Sequence, residues 1–328
     1  MIAALNRALH DAMAQDDKVI CIGEDVADGE GGGVFEVTKG LSTAFGSKRV
    51  RSTPISEQAI AGAGIGAALA GLKPVIEIML MNFTTVAMDM IVNHAAKLRY
   101  MSGGQTHVPL TIRMTTGAGF GIGGQHSDML EAWFAHTAGL KVVIPSSPAE
   151  AYGLLSSCIH DPDPCIFIEP LGLYRIKGPA PEPGYRIPLG KARVAREGSD
   201  VTIITYGRQV NDALAAAETL AAEDMDVEVI DLRCVSPLDT DTIIASVAKT
   251  GRAIIVHEAV RSFGAGAEIA ARLGEALFGQ LKAPIGRIAS ADTPVPFSKP
   301  LETAFMPNAE TIVAAVRDMV GAKLRDQA

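Results

Sequence analysis

Short apolar runs alternate with longer segments of helical period along this chain, and that alternation leaves it few possible folds. Residues 19–23, 74–79, 109–114, 141–144 and 165–169 are apolar and rich in β-branched side chains, and stretches of helical spacing such as 85–100 and 148–160 lie between them. A strand that is apolar on both faces must be covered on both faces, which predicts a mostly parallel sheet between layers of helices. The pattern halts at 176–190 (IKGPAPEPGYRIPLG), where four prolines leave neither a helical nor a strand period and an extended linker is expected. It then resumes, with strands expected at 201–206, 226–232, 253–257 and 284–288 and helices at 209–222, 239–249, 265–278 and 308–323. Two doubly wound α/β domains are therefore predicted, residues 1–185 including the linker and residues 186–328.

Composition narrows the function. With 328 residues, 48% of them hydrophobic, the chain can bury two cores, and a net charge of −8 gives no electrostatic footprint for nucleic acid. Cys21, Cys158, Cys165 and Cys234 form no CxxC pair, so they read as small buried hydrophobes in a reducing compartment. Residues 1–18 read as an amphipathic helix and lack the apolar segment of a secretory signal. The longest uncharged apolar run, 59–72, is too short to span a bilayer. A cytoplasmic protein with no membrane segment is the expectation.

The richest local signal is Thr53-Pro54-Ile55-Ser56-Glu57-Gln58, which joins a short strand (49–52) to a helix of small residues (59–72). It puts the Glu57 carboxylate at a helix N-terminus and at a strand end, where α/β proteins keep their ligands. Such a fixed, partly buried acid suits proton sharing with a heterocyclic nitrogen; complementing the helix dipole is the plainer alternative. Glu24 ends the first strand and mirrors Glu57, so a water-linked carboxylate pair stands beside the reading of two exposed loop acids. Gly117-Ala118-Gly119-Phe120-Gly121-Ile122-Gly123-Gly124 contains a literal GxGxxG. The loop is long for a dinucleotide turn, however, and no acid closes the next strand, so close backbone approach to a ligand or a neighbouring subunit competes with it. His126 follows those glycines and is placed to act as an acid or base near pH 7. His257, at another strand end, reads as packing. No metal-ligand spacing occurs, and no GDG followed by an asparagine about 25 to 30 residues on, the thiamine diphosphate and magnesium pattern.

Taken in order, several motifs closely resemble one family: Gly23-Glu24-Asp25-Val26, Gly32-Gly33-Val34-Phe35, Thr38-Lys39-Gly40-Leu41, Thr53-Pro54-Ile55-Ser56-Glu57, Asn93-His94-Ala95-Ala96-Lys97, Gln125-His126-Ser127, Leu173-Tyr174-Arg175, Pro188-Leu189-Gly190-Lys191-Ala192 and Asp231-Leu232-Arg233. The family is the β subunit of the thiamine-diphosphate-dependent decarboxylating component of 2-oxo acid dehydrogenases, which includes pyruvate, acetoin and branched-chain enzymes. The resemblance spans essentially the whole chain. Ser52 stands where the family usually has Asp, Ala138 where Pro is frequent, and Met79-Leu80-Met81-Asn82 is more apolar than usual.

The resemblance implies a pyrimidine-binding domain followed by a transketolase C-terminal-like domain, in a heterotetramer with a second β chain and two α chains. The α subunit would hold the diphosphate and magnesium, in keeping with the missing GDG, and the enzyme would be active only with it. Glu57 matches the glutamate that hydrogen-bonds a pyrimidine nitrogen of thiamine diphosphate, Phe83 an aromatic beside that ring, and Glu24 a second acid of a proton route. His126 matches a pocket histidine thought to help in reaction with the lipoyl group. Some members hold a structural potassium ion, mainly through backbone carbonyls; the matching positions are Leu110, Cys158, Asp161 and Asp163. The implied activity is decarboxylation of a short 2-oxo acid, with pyruvate the first choice, and reductive acylation of lipoamide on a lipoylated acyltransferase. Acetoin and branched-chain 2-oxo acids are the alternative substrates, and a non-catalytic scaffold subunit is the reading from another class.

Overall fold

The computed structural model describes residues 1–325, which fall into two compact units. One comprises Met1–Gly117 and Gln125–Leu189; the other comprises Ala118–Gly124 and the chain from Gly190 onward.

The first unit contains strands β1 (Val19–Glu24), β2 (Val50–Thr53), β3 (Lys73–Leu80), β4 (Thr111–Thr116), β5 (Lys141–Val143) and β6 (Cys165–Pro170). They pair in the order β5-β6-β4-β3-β1-β2, all parallel. Every residue of β4 and β6 is buried, as expected for strands covered on both faces. Helix Ile2–Gln15 packs on helix Pro148–Ile159, and helix Glu57–Leu69 lies along β3. Ser147 caps helix Pro148–Ile159 by accepting the Glu150 N–H, with Pro148 in the first turn. Ser147→Ala is expected to lower the stability of the chain by about 1 kcal/mol. Urea denaturation should show this as a lower midpoint with an unchanged slope.

The helix expected over 85–100 is broken. Helix Thr84–Asp89 passes into a π-turn, Met90–Ala95, and only Leu98–Met101 returns to α geometry. The Ala96 N–H reaches back to the Ile91 carbonyl, one residue beyond the α-helical partner. Gly139 comes so near the Ala96 carbonyl that a Cβ at 139 would lie 2.1 Å from it. Apolar spacing along 85–100 carries no sign of that tertiary contact.

The second unit contains β7 (Arg193–Arg196), β8 (Val201–Thr205), β9 (Val227–Asp231), the short β10 (Cys234–Ser236), β11 (Ala253–Val260) and β12 (Gly286–Ser290). Its main sheet runs β12-β11-β8-β9-β7, parallel except for β7, which is antiparallel to β9 at the edge. Val201, Ile203, Val227, Val229, Ile254 and Val256 form a core with Ala213, Ala216 and Leu220 of helix Gln209–Ala221 and Ile312 and Val316 of helix Ala309–Arg325. Helices Thr240–Thr250 and Ala265–Ala276 pack on each other. Strand β7, with each residue only half-buried, and helix Lys299–Phe305 were not legible, because neither carries a clear apolar period. Among the described residues, no helix is long and apolar enough to cross a membrane.

Candidate active site

In an open α/β sheet a crevice forms at the carboxyl ends of two neighbouring strands whose onward connections leave in opposite directions. Here those strands are β1, which leads to β2 on one side, and β3, which leads to β4 on the other. The sequence-predicted residues collect at that end of the sheet. Glu24 is the last residue of β1, Thr53 the last of β2, and Glu57 the first of helix Glu57–Leu69. Phe83 sits in the tight turn Met81–Phe83 directly after β3, and His126 in the short helical turn Gly124–Ser127 after β4.

The Glu57 carboxylate is buried at a helix start and receives no hydrogen bond from the described residues. The positive end of the helix favours a carboxylate at this position. Thr53 Oγ1 and His126 Nδ1 are likewise buried without a hydrogen-bond partner. Buried polar atoms in folded proteins are nearly always paired, so Thr53 and His126 each leave a polar atom at this end of the sheet to which a ligand could bond. The Phe83 ring meets the His126 imidazole edge-on, with centroids 5.6 Å apart and planes at 74°, which supplies an aromatic wall. A carboxylate, an aromatic face and an imidazole at one end of a sheet are side-chain types that fit a heteroaromatic ring with a protonatable nitrogen.

Glu24 is half-buried and is held above the usual carboxylate range. Burial is the main cause, followed by the charges of Glu57 and Asp25, with the Ser56 N–H pulling the other way. Folding therefore favours the protonated form, and the stability linked to this group falls as pH rises from its unfolded value through its folded one. Carbon-detected NMR is expected to place the Glu24 titration above that of an exposed glutamate, and Glu57→Gln should lower it. A midpoint indifferent to that change would mean that the two carboxyls do not feel each other. Asp25, next in the chain, adopts a left-handed φ of 54°, and its carbonyl accepts the Gly33 N–H. Gly32 has no freedom to be another residue, since its φ is +77° and a Cβ would lie 2.4 Å from Lys39 Cα.

Two supports escaped the sequence reading. Asn82 donates through Nδ2 to Asp128 Oδ2 (2.8 Å), and its Oδ1 accepts the Asp128 N–H (3.1 Å). Thr116 Oγ1 donates to the Asp128 carbonyl (2.7 Å), so the stretch after His126 is fastened to the ends of β3 and β4. Below it, runs that read as apolar hold a buried ionic cluster. Arg113 of β4 donates through Nη1 to Glu77 of β3 (2.6 Å) and through Nε and Nη2 to Glu169 of β6 (2.7 and 3.0 Å). Tyr174 Oη donates to the same Glu169 (2.6 Å). Burial would weaken the Arg113 charge, but the two carboxylates more than offset it and hold the guanidinium protonated. The visible signal was a charged residue in each of three neighbouring strands.

The positions that match the potassium ligands take part in local backbone hydrogen bonds. The Leu110 carbonyl accepts the Cys165 N–H and the Cys158 carbonyl accepts the Asp161 N–H. Asp161 and Asp163 have side chains committed to Lys141 and Arg99. A backbone carbonyl that accepts one hydrogen bond keeps a second lone pair, which suits a hard cation. Among the described residues, no group of three or more His, Cys, Asp and Glu could hold a metal through side chains. All four cysteines are buried and none is in a disulfide. His257 is a core residue stacked on Tyr206, and burial pushes its pKa down to about 4.

Comparison with known proteins gives the family and the fold. Residues 1–177 match the family model of the transketolase pyrimidine binding domain, and residues 190–312 that of the transketolase C-terminal domain. The chain is 46% identical over 322 residues to the acetoin:2,6-dichlorophenolindophenol oxidoreductase subunit beta of Cupriavidus necator, covering 96% of this chain and 95% of that one. It is 47% identical over 316 residues to the mitochondrial pyruvate dehydrogenase E1 component subunit beta-1 of Arabidopsis thaliana, covering 95% and 86%. The solved structure of a split gene transketolase, an inactive beta4 tetramer, shares the fold with a TM-score of 0.79 at 21% identity over 97% of each chain. Full-length relatives at this identity and a pyrimidine-binding model over more than half the residues lead to one conclusion: the chain belongs to the family of β subunits of thiamine-diphosphate-dependent 2-oxo acid and acetoin dehydrogenases.

Proposed function

We propose that this chain is the β half of an α2β2 enzyme that decarboxylates pyruvate and passes the acyl group to a lipoylated acyltransferase. The observation that carries the reading is the buried Glu57 carboxylate, without a hydrogen bond from the described residues, at a helix start beside the crevice between β1 and β3. When bound, thiamine diphosphate supplies a nucleophilic carbon and a sink for the electrons left behind as carbon dioxide departs. Glu57 holds a proton against a nitrogen of the pyrimidine, Glu24 relays protons to and from it, and Phe83 packs on the ring. His126 donates a proton to the lipoyl sulfur during acyl transfer. Residues 1–185 carry this half-site, and residues 186–328 form the second domain, which serves subunit contacts. The α partner supplies the diphosphate and magnesium ligands, in keeping with their absence from this sequence. Potassium, through the carbonyls of Leu110, Cys158, Asp161 and Asp163, and a cytoplasmic location complete the proposal.

Acetoin is the second substrate, favoured by the apolar Leu80 and Met81 that lead into Phe83 and by the equal likeness to an acetoin oxidoreductase subunit. Branched-chain 2-oxo acids rank third. Capture of the tagged chain from its native cells should bring an equimolar partner with a GDG motif. The purified complex should then turn over pyruvate fastest among pyruvate, acetoin and 3-methyl-2-oxobutanoate. A stable chain that emerges alone would favour a scaffold role, and failure of all three compounds would sink the substrate assignment.

A further inference from the structure

The glycine loop that resembled a dinucleotide fingerprint is already occupied by the protein itself. Within the second unit, Glu302 of helix Lys299–Phe305 is buried. Its Oε1 accepts the backbone N–H groups of Gly119 (2.7 Å), Phe120 (3.1 Å) and Gly121 (3.1 Å), and its Oε2 also accepts that of Gly121 (3.1 Å). Glu258 Oε1 accepts the preceding N–H, that of Ala118 (2.7 Å). Successive N–H groups turned to one side make an anion cradle of the kind that holds phosphates elsewhere, and here a side-chain carboxylate fills it. The cradle depends on glycine. Gly119, Gly121 and Gly123 take φ of +111°, +67° and +73°, and a Cβ on Gly123 would lie 2.3 Å from the Phe297 ring. Left free, five glycines in the eight residues 117–124 would be among the most mobile segments of the chain.

We infer that Glu302 is a positioning residue for the reaction: by gathering the backbone of Ala118–Gly124 it fixes the segment that continues directly into Gln125-His126. This rests on the role given to His126 in acyl transfer. Glu302 touches no reacting atom, so its influence should fall on the step that uses His126 and much less on decarboxylation. Glu302→Gln keeps an acceptor oxygen and is the conservative control for Glu302→Ala.

Two measurements test it. In hydrogen exchange of the full chain, Glu302→Ala is expected to speed exchange at Gly119, Phe120 and Gly121 at least tenfold, with Glu302→Gln in between. In the reconstituted enzyme, Glu302→Ala should lower kcat for lipoyl acylation at least ten times more than kcat with 2,6-dichlorophenolindophenol as electron acceptor, and Glu302→Gln should recover part of the difference. Unchanged exchange would overturn the clamp. Equal loss in the two assays, or no loss in either, would overturn the positioning role. If the wild-type complex turns over neither a 2-oxo acid nor acetoin, the functional reading fails, and the exchange result still decides whether Glu302 holds the loop.

Discussion

Glu57→Gln is expected to lower turnover of the reconstituted α2β2 enzyme by at least about 100-fold, the lower end of what a positioned acid or base contributes. The change is nearly isosteric and leaves helix Glu57–Leu69 its length and packing. Loss of a negative charge at the first turn removes only about 0.3–1 kcal/mol of dipole stabilisation. An activity loss of that size with an almost unmoved melting temperature would therefore assign the effect to proton sharing. Turnover within about twofold of wild type would return Glu57 to the plain role of complementing the helix dipole. The same variant separates the Glu57 field from burial in the titration of Glu24, since burial alone would survive the substitution.

Glu169→Ala is expected to be the most destabilising of the changes considered. Glu169 is fully buried and receives two hydrogen bonds from Arg113 and one from Tyr174. Removing it leaves Arg113, itself 2% exposed, with Glu77 as its remaining ionic partner and with two buried donors unpaired. Breaking a buried ion pair in this one-sided way costs about 3–5 kcal/mol, because a charge stays behind in a medium that solvates it poorly. Urea denaturation of the chain should show the loss, and replacing Arg113 by methionine in the same background should restore part of it. A loss below about 1 kcal/mol would mean that water enters beside Arg113. A cavity of about 10 Å³ already borders Arg113, Glu77, Glu169 and Tyr174, and it has room for about one water molecule.

The strands and long helices were legible within a few residues because burial on both faces is written directly into β-branched runs, and covered helices into a 3.6-residue period. The edges of that rule mark its limits. Strand β7 is half-buried along its length and the π-turn at Met90–Ala95 arises where the backbone meets Gly139, so neither has a local period to read. In the site, Glu57 and Glu24 were visible because a carboxylate at a strand end is a local pattern. The ties of Asn82 to Asp128 and of Glu302 to the glycine loop were not, because their partners lie 46 and more than 180 residues apart.

From the sequence alone came the two α/β domains, the acids at the strand ends, the aromatic and histidine after them, and the missing diphosphate motif; each is a property of residue type in local order. Only tertiary structure decided the strand order that puts the crevice between β1 and β3, the lack of a hydrogen bond to Glu57 among the described residues, and the seating of the Glu302 carboxylate in the glycine cradle. The reason is physical. A hydrogen bond or a buried charge depends on which groups the fold brings within 3 Å of one another, and among residues far apart in the chain local sequence places no restriction on that choice.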